Sequence, residues 1–252
     1  MKKVLAKSLL FLSIFSFSLQ AMCQEVNIYF IRHGKTMFNT TGQVQGWSDT
    51  PLTEKGIHQA KQAGKGLENV EFIGAYSSDM GRARATAKLI LAENKHQPTP
   101  VLIDMMELRE WGYGGYEGRD DAELWTPLFE EKNIEFKKDW STWEDLTKAM
   151  TDEEMANAIA ANDKTGTAEN YHAIVERLKM GVLDIITQTE AQGGGNVLAV
   201  SHGSAIPTIL TIFTPDEYHG ESIDNVSLTI LNYKDGKFTL KTIGDTKYLQ
   251  NK

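Results

Sequence analysis

Cysteine is nearly absent from this sequence, and long tracts of Pro, Gly or Gln do not occur. One Cys among 252 residues excludes a disulfide framework and a Cys-rich zinc site. The hydrophobic fraction of 41% and the charged fraction of 24% exclude an intrinsically disordered chain. The net charge of −8 argues against non-specific binding to nucleic acid, which needs cations to displace counterions from phosphates.

A basic and then apolar segment opens the chain. Lys2, Lys3 and Lys7 precede an apolar run from Leu9 to Leu19, and small and polar residues follow as far as Gln24. This order is typical of a secretory signal peptide, here over residues 1–23. The apolar run is shorter than the about 20 residues that a transmembrane helix needs, so we expect no transmembrane span.

Three ways of processing this leader fit its last residues. Cleavage could follow Cys23, in a small-x-small pattern that begins at Ala21, or it could follow Ala21 itself. The third is lipid attachment at Cys23, which Met22 disfavours. We therefore expect an exported protein, periplasmic or secreted, whose mature domain is residues 24–252. The mature chain would contain one Cys at most, depending on the side of Cys23 at which cleavage occurs.

Strand and helix patterns alternate through most of this domain. Short apolar runs predict strands at 26–31, 72–76, 101–104 and 196–200, and a hairpin at 226–232 and 237–243 around Asp235-Gly236. Helical patterns cover 53–67 with Thr53 as N-cap, a segment capped by Ser77-Ser78-Asp79 that ends near 94, and 171–189. The alternation predicts an α/β fold with a mainly parallel central sheet and helices on both faces.

Residues 119–167 interrupt this alternation. They contain no strand signal, and their helix-forming stretches carry thirteen acidic and six basic side chains. The segment also carries a set of aromatic residues: Trp125, Phe129, Phe136, Trp140 and Trp143. We expect a helical cap inserted into the α/β domain, with these aromatic side chains as its own packing surface.

Two of the predicted strands end in a histidine that a glycine follows. Ligands of open α/β sheets bind at the carboxyl ends of strands, so Arg32-His33-Gly34 and Ser201-His202-Gly203 should converge. Arg82 begins the helix after the second strand, where free N–H groups favour anions. Arg32 and Arg82 can each bind phosphate oxygens with two N–H groups. These residues predict a pocket for a tetrahedral dianion, whereas His58, His96, His172 and His219 are interpreted as surface or structural residues.

The segment from Ile31 to Asn39 (Ile-Arg-His-Gly-Lys-Thr-Met-Phe-Asn) resembles the signature of the histidine phosphatase superfamily, in its phosphoglycerate-mutase-like branch. Further blocks follow in the order of that family: residues 46–53, Tyr76-Ser77-Ser78-Asp79, Arg82-Ala83, Leu108-Arg109-Glu110, Tyr116-Glu117-Gly118, Glu169 with Arg177, and Ser201-His202-Gly203. The blocks span the chain outside the leader and residues 119–167.

This resemblance implies a role for each matched residue. It implies that His33 is the nucleophile and that Arg32, Arg82 and His202 form a charged clamp on the phosphoryl group, with Asn39 as a neutral donor to the same group. It also implies that Glu110 is the acid that protonates the leaving oxygen and then the base that activates water. A neutral imidazole is a good nucleophile near neutral pH, so we expect neither a metal nor a cofactor.

Two departures from the family narrow the expected activity. Mutases of this family place Arg-His directly after the catalytic Glu, whereas Trp111-Gly112 follows Glu110, so a cation for a second anionic group is missing. The branch with Arg-His-Gly-x-Arg-x-Pro fits poorly, because Thr36 and Phe38 stand at its Arg and Pro positions. We expect a phosphatase for small phosphomonoesters; the alternatives are a phosphoglycerate mutase or other phosphotransferase, and a non-catalytic phosphate-binding protein. No pattern specifies an oligomeric state.

The acidic cap leads to one further hypothesis. Its negative charge should disfavour polyanionic substrates and favour small or partly cationic phosphomonoesters through long-range electrostatics.

Overall fold

The computed structural model describes residues 24–250, so the signal peptide expected over residues 1–23 lies outside the described residues. Within residues 24–250, no helix combines the length and the apolar character that crossing a membrane requires.

A single six-stranded sheet forms the centre of the molecule. Its strands are β1 (Val26–Arg32), β2 (Phe72–Ser78), β3 (Leu102–Met105), β4 (Gly195–Ser201), β5 (Leu228–Lys234) and β6 (Lys237–Asp245), in the order β3-β2-β4-β1-β5-β6. The first four strands along the chain pair in parallel, while β5 is antiparallel to β1 and to β6. The predicted α/β class with a mainly parallel sheet is confirmed.

Eight α-helices surround this sheet in the described part of the chain. They are α1 (Phe38–Thr41), α2 (Glu54–Gly66), α3 (Gly81–Ala92), α4 (Asp121–Glu131), α5 (Trp143–Ala149), α6 (Asp152–Asn162), α7 (Tyr171–Ala191) and α8 (Ala205–Phe213), with 3₁₀ turns at Met106–Leu108, Gly114–Tyr116 and Lys247–Gln250. Thr53 caps α2 as expected, since its hydroxyl accepts from the amide of Gly56.

Alternating side chains of β4 divide the core into two layers. Val197 and Ala199 point to the face covered by α7, α8 and the cap, whereas Leu198 and Val200 point to the face covered by α2 and α3. This is the period of two that a strand imposes. Because β4 is buried on both faces, its carboxyl end, which His202 follows, lies in the buried core.

The cap between residues 119 and 167 consists of α4, α5 and α6 and their connections. Its aromatic rings pack edge-to-face: Trp125 lies 5.0 Å from Trp143, and Phe136 lies 5.3 Å from Phe129 and 5.5 Å from Trp140, between ring centroids. Such pairs add to the stabilisation that burial of the rings provides. The expectation that these aromatic residues form the cap's own packing surface is confirmed.

Two expectations about helix ends and positions were wrong or incomplete. The N-cap of α3 is Met80, not the segment Ser77-Ser78-Asp79, because β2 continues to Ser78 and the carboxylate of Asp79 binds Arg109 instead. Helix α8 was not predicted. It is apolar around most of its circumference, and Pro207 occupies its first turn, where a missing N–H costs little.

Candidate active site

The two histidines that follow β1 and β4 lie side by side. Arg32 and Ser201 are register partners in adjacent parallel strands, and the amide of His33 donates to the carbonyl of Ser201 over 3.0 Å. The His33 and His202 rings are 5.2 Å apart between centroids, and both side chains are buried. The convergence expected at the carboxyl ends of these strands is therefore present.

Hydrogen bonding defines which nitrogen of His33 holds its proton. Nδ1 lies 2.9 Å from the carbonyl oxygen of Gly34, which only accepts, so Nδ1 carries the proton and Nε2 keeps its lone pair. Burial lowers the pKa of His33 well below its usual value, and the charges of Arg82 and Arg32 lower it further. The ring is thus a neutral imidazole with a free nucleophilic nitrogen.

His202 has the opposite tautomer. Its Nδ1 lies 3.1 Å from Nη2 of Arg82, and a guanidinium only donates, so the proton of the neutral ring is on Nε2. Burial, followed by the charge of Arg82, lowers the pKa of His202 well below its usual value. Nε2 is buried and has no hydrogen-bond partner among the described residues, so it is a donor available to a ligand.

Arg82 is fully buried, and main-chain carbonyl groups hold most of its guanidinium. Nη1 donates to the carbonyl of Ser48 at 2.8 Å and to Asp49 at 2.9 Å. Nη2 donates to the carbonyl of Gly46 at 2.7 Å and to His202, and a longer bond of 3.3 Å to the carbonyl of Gln45 shares one of these protons. These bonds use the four Nη protons, so the expected two-pronged grip on phosphate is wrong for Arg82. The Nε–H group is left, buried and without a partner in the described structure.

Arg32, the last residue of β1, provides the second guanidinium of the site. Its Nη1 donates to the carbonyl of Ile223 at 2.8 Å, and its Nε is buried without a partner among residues 24–250. A Cβ at Gly203 would lie 3.0 Å from Cζ of Arg32, so the glycine after His202 makes room for this guanidinium. Seven buried side-chain polar atoms of the described residues lack partners, and three of them belong to Arg32, Arg82 and His202.

The carboxylate of Glu110 is tied to the beginning of α8. Oε1 accepts from the amides of Ala205 at 2.8 Å and Trp111 at 3.0 Å, and Oε2 accepts from the amide of Ser204 at 2.9 Å. Burial raises the pKa of Glu110, while these amides and the charges of Arg32 and Arg82 oppose the rise. Because Oε2 accepts fewer of these bonds than Oε1, it is the oxygen better placed to hold a proton.

Asn39 was expected to donate to the same phosphate. It lies in α1, and its Oδ1 accepts from the amide of Thr36 at 3.2 Å. That bond leaves both amide protons of the side chain unused, but no described hydrogen bond joins Asn39 to the two histidines or to Arg32 and Arg82. The role of Asn39 therefore stays a prediction.

Several residues that support the site were not given a role from the sequence. Asn225 donates to the carbonyl of His33 at 2.9 Å, and Asp49 binds Arg82. Arg177 forms a two-pronged ion pair with Glu169 and donates to the carbonyl of Glu110 at 3.0 Å. Asp49, Glu169 and Arg177 lie in blocks that resemble the family, which was the available signal, but the contacts themselves have no local sequence pattern.

The other four histidines of the described chain, His58, His96, His172 and His219, are exposed, which is one of the two positions expected for them.

Comparison with known proteins gives a consistent result. The family model described as histidine phosphatase superfamily (branch 1) matches residues 28–140 and 130–246. A 2,3-bisphosphoglycerate-dependent phosphoglycerate mutase of Methanococcus vannielii is 27% identical over 197 residues, which cover 73% of this chain and 79% of that protein.

Solved structures share the fold. The crystal structure of a phosphoglycerate mutase from Bacillus anthracis is 33% identical with a TM-score of 0.82, and the match covers 91% of this chain and 97% of that one. A phosphoserine phosphatase mutant from Entamoeba histolytica, in complex with phosphoserine, is 22% identical with a TM-score of 0.62, covering 89% and 99% of the two chains. At that identity the second likeness is one of fold alone.

Proposed function

Since this chain belongs to branch 1 of the histidine phosphatase superfamily, we propose that it is a phosphomonoesterase that acts through a phosphohistidine on His33. One observation carries the proposal. Arg32, Arg82 and His202 each have a buried N–H group without a partner in the described structure, the His202 ring lies 5.2 Å from that of His33, and the charges of Arg82 and Arg32 lower the pKa of His33. Phosphoryl transfer requires one nucleophile and hydrogen-bond donors that stabilise the charge on the three equatorial oxygens.

In the first step, Nε2 of His33 attacks phosphorus, and the bond from phosphorus to the ester oxygen breaks. Glu110 supplies a proton to that oxygen, so the alcohol leaves neutral and Glu110 becomes a carboxylate. The N–H groups of Arg32, Arg82 and His202 bind the equatorial oxygens, on which negative charge is spread. The Nδ1–H bond to Gly34 stabilises the positive charge that the ring acquires.

In the second step, water attacks the phosphohistidine. The carboxylate of Glu110 takes a proton from this water, the P–N bond breaks, and inorganic phosphate forms. His33 regains its neutral ring with the proton on Nδ1. Amide groups at the start of α8 keep Glu110 in one position while its charge changes.

The distribution of cations supports a hydrolase over a mutase. Arg109, Arg177 and Arg119 are each paired with a carboxylate, at 2.5, 2.6 and 3.2 Å from Asp79, Glu169 and Glu123. Trp111 follows Glu110, and its indole N–H donates to Thr208 at 3.0 Å. Arg82 is also paired with Asp49, but Arg82 and Arg32 each keep a buried Nε–H group without a partner in the described structure, and these two donors suit one phosphoryl group.

The names of the relatives favour the second candidate, a phosphoglycerate mutase or another phosphotransferase, because the 27% and 33% identical proteins are both described as mutases. A panel of phosphomonoesters and a 3-phosphoglycerate mutase assay separate the two. We expect release of inorganic phosphate from the panel, loss of release in His33→Ala, and unchanged release in His172→Ala. Interconversion of phosphoglycerates without phosphate release would overturn the hydrolase proposal.

We also propose that the protein is exported, on the basis of the basic, apolar and then small residues of the leader over 1–23. Fractionation of producing cells followed by N-terminal sequencing tests this. A mature chain that starts within a few residues of Gln24, outside the cytosol, is expected. A chain that retains Met1 in the cytosol would contradict export.

A further inference from the structure

A loop of four residues, 45–48, lies between a buried arginine and a carboxylate that has no place in the reaction steps above. The arginine is Arg82, and the carboxylate belongs to Glu117 in the connection that leads to the cap. The two charged groups bind opposite sides of the same peptide groups.

The amide side of the loop is bound to Glu117. The amides of Gly46, Trp47 and Ser48 donate to this carboxylate at 3.1, 2.7 and 2.8 Å, and the amide of Tyr113 adds a fourth bond at 3.1 Å. Three successive N–H groups on one anion form a concave nest, an arrangement that fixes backbone direction. Hydrogen bonds to a charged acceptor are about twice as strong as neutral ones.

The carbonyl side of the loop is bound to Arg82. The carbonyl groups of Gln45, Gly46 and Ser48 accept from its Nη atoms at 3.3, 2.7 and 2.8 Å. The two peptide groups that join residues 45 to 46 and 46 to 47 therefore each have an anion at the N–H end and a cation at the C=O end, which aligns their dipoles between the two charges. The loop itself is tightly packed, because a Cβ at Gly46 would lie 2.3 Å from the carbonyl oxygen of Trp111.

We propose that Glu117 is a positioning residue for Arg82, a role that rests on the proposed function of the pocket. By orienting the loop carbonyls, Glu117 determines where the guanidinium lies and hence where the free Nε–H of Arg82 points. It also supports the bond from Nη2 of Arg82 to Nδ1 of His202, which places the proton of His202 on Nε2. One carboxylate outside the pocket thus sets two of its three phosphate donors.

The competing explanation is that Glu117 only stabilises the loop. A double-mutant cycle separates the two, with affinity for inorganic phosphate, measured by titration calorimetry, as the readout. We expect Glu117→Gln to weaken phosphate binding about tenfold and to lower kcat/KM by a similar factor, whereas the exposed cap carboxylate Glu123→Gln leaves both unchanged. In an Arg82→Ala background, Glu117→Gln should change phosphate affinity by less than about twofold.

Equal losses of phosphate affinity in both backgrounds would overturn the positioning role, since they show an effect that does not pass through Arg82. So would wild-type affinity in Glu117→Gln. Should that variant fail to fold, Glu117→Asp keeps the charge at a shorter reach, and phosphate affinity equal to that of the wild type would again overturn the proposal. Because binding is measured without turnover, absence of phosphatase activity in the wild type would refute the proposed function and leave this test intact.

Discussion

The pocket around His33 and His202 and the helical cap stabilise their side chains in different ways. In the pocket, main-chain groups hold the buried charges: carbonyls of residues 46 and 48 bind Arg82, and amides of residues 204 and 205 bind Glu110. In the cap, aromatic rings pack on one another, and its ion pairs lie at the surface, as between Glu144 and Lys148. Exposed pairs of that kind add about 1 kcal/mol at most.

Because of this difference, a substitution in the pocket and a substitution in the cap should change different properties of the protein. Side chains of the pocket are positioned by the ends of β1 and β4 and by the beginning of α8, which belong to the buried core. The cap is held by apolar contacts among its own rings and with the core cluster on that face of the sheet, and these contacts do not involve Arg32, Arg82 or His202. Substitutions in the pocket should therefore change turnover, whereas those in the cap should change stability or substrate ranking.

The largest effect is expected from Arg82→Ala. It removes a phosphate donor and the partner of His202 Nδ1, so both binding and turnover suffer, and kcat/KM should fall by about 10³. Steady-state kinetics with an aryl phosphate measure this, and Arg119→Ala in the cap serves as the matched control. A decrease of less than about tenfold would show that Arg82 is not part of the phosphate clamp.

Glu110→Gln tests the acid step by leaving-group dependence. For alkyl phosphates, whose leaving oxygen needs a proton, kcat should fall by about 10² to 10⁴. For p-nitrophenyl phosphate the loss should be much smaller, because that oxygen leaves as an anion. Parallel losses for the two classes of ester, measured by phosphate release, would count against Glu110 as the acid.

Phe129→Ala tests the cap side of the comparison. Its ring is fully buried against Phe136, so the substitution should lower the free energy of unfolding by about 3–5 kcal/mol. Turnover per folded molecule at a temperature below the transition should stay within about twofold. Urea denaturation and aryl phosphate kinetics check both, with the exposed Met180→Ala as control; a large loss of turnover in folded protein would contradict the separation.

The buried histidines make stability depend on pH. The pKa values of His33 and His202 are lowered in the folded state. Below about pH 6.5 these two residues therefore bind protons in the unfolded chain but stay neutral in the folded protein. Stability should fall as the pH drops below 6.5, by up to about 1.4 kcal/mol per pH unit for each ring, until the folded pKa is reached. Urea denaturation across this range should show a shallower slope for His202→Gln than for His172→Gln, and equal slopes would contradict this assignment.

The smallest effect is expected from the charge of the cap. Neutralising the exposed carboxylates of Glu130, Asp145 and Glu153 should raise kcat/KM for a bisphosphorylated substrate relative to an aminoalkyl phosphate by a few-fold at low salt. The change should vanish at about 1 M salt, where the Debye length is roughly 3 Å. An unchanged ranking at low salt would refute the hypothesis of an acidic cap that selects substrates.

Local patterns were sufficient for the sheet and for the residues at its edge. Strands β1 and β4 are short apolar runs with His33 and His202 directly after them, so the topology of an open parallel sheet brings the histidines together. Helix α8 was not predicted because, apart from Thr208 and Thr211, its nine residues are apolar or proline, and so short an apolar run does not distinguish a helix from a buried strand.

The supports of the pocket could not be predicted in the same way. The bonds from Glu117 to residues 46, 47 and 48 join positions 69 to 71 apart in the chain, and they involve main-chain amides, which every residue possesses. The bonds from Arg82 to the carbonyl groups of the loop are also contacts to the main chain. They occupy the Nη protons, so Arg82 has one free N–H group where two were expected to bind phosphate. Side-chain identity predicts chemistry, whereas contacts to the backbone become visible once the chain is folded.

The register between β1 and β4 has a consequence for how such an enzyme can diversify. His33 and His202 follow register partners, so the 5.2 Å between their rings repeats the roughly 4.8 Å spacing of neighbouring strands. The sheet fixes the separation of His33 and His202 independently of the loops and the cap. Under the proposed function, residues 119–167 can therefore change in evolution, and the substrates with them, while the two histidines keep their spacing.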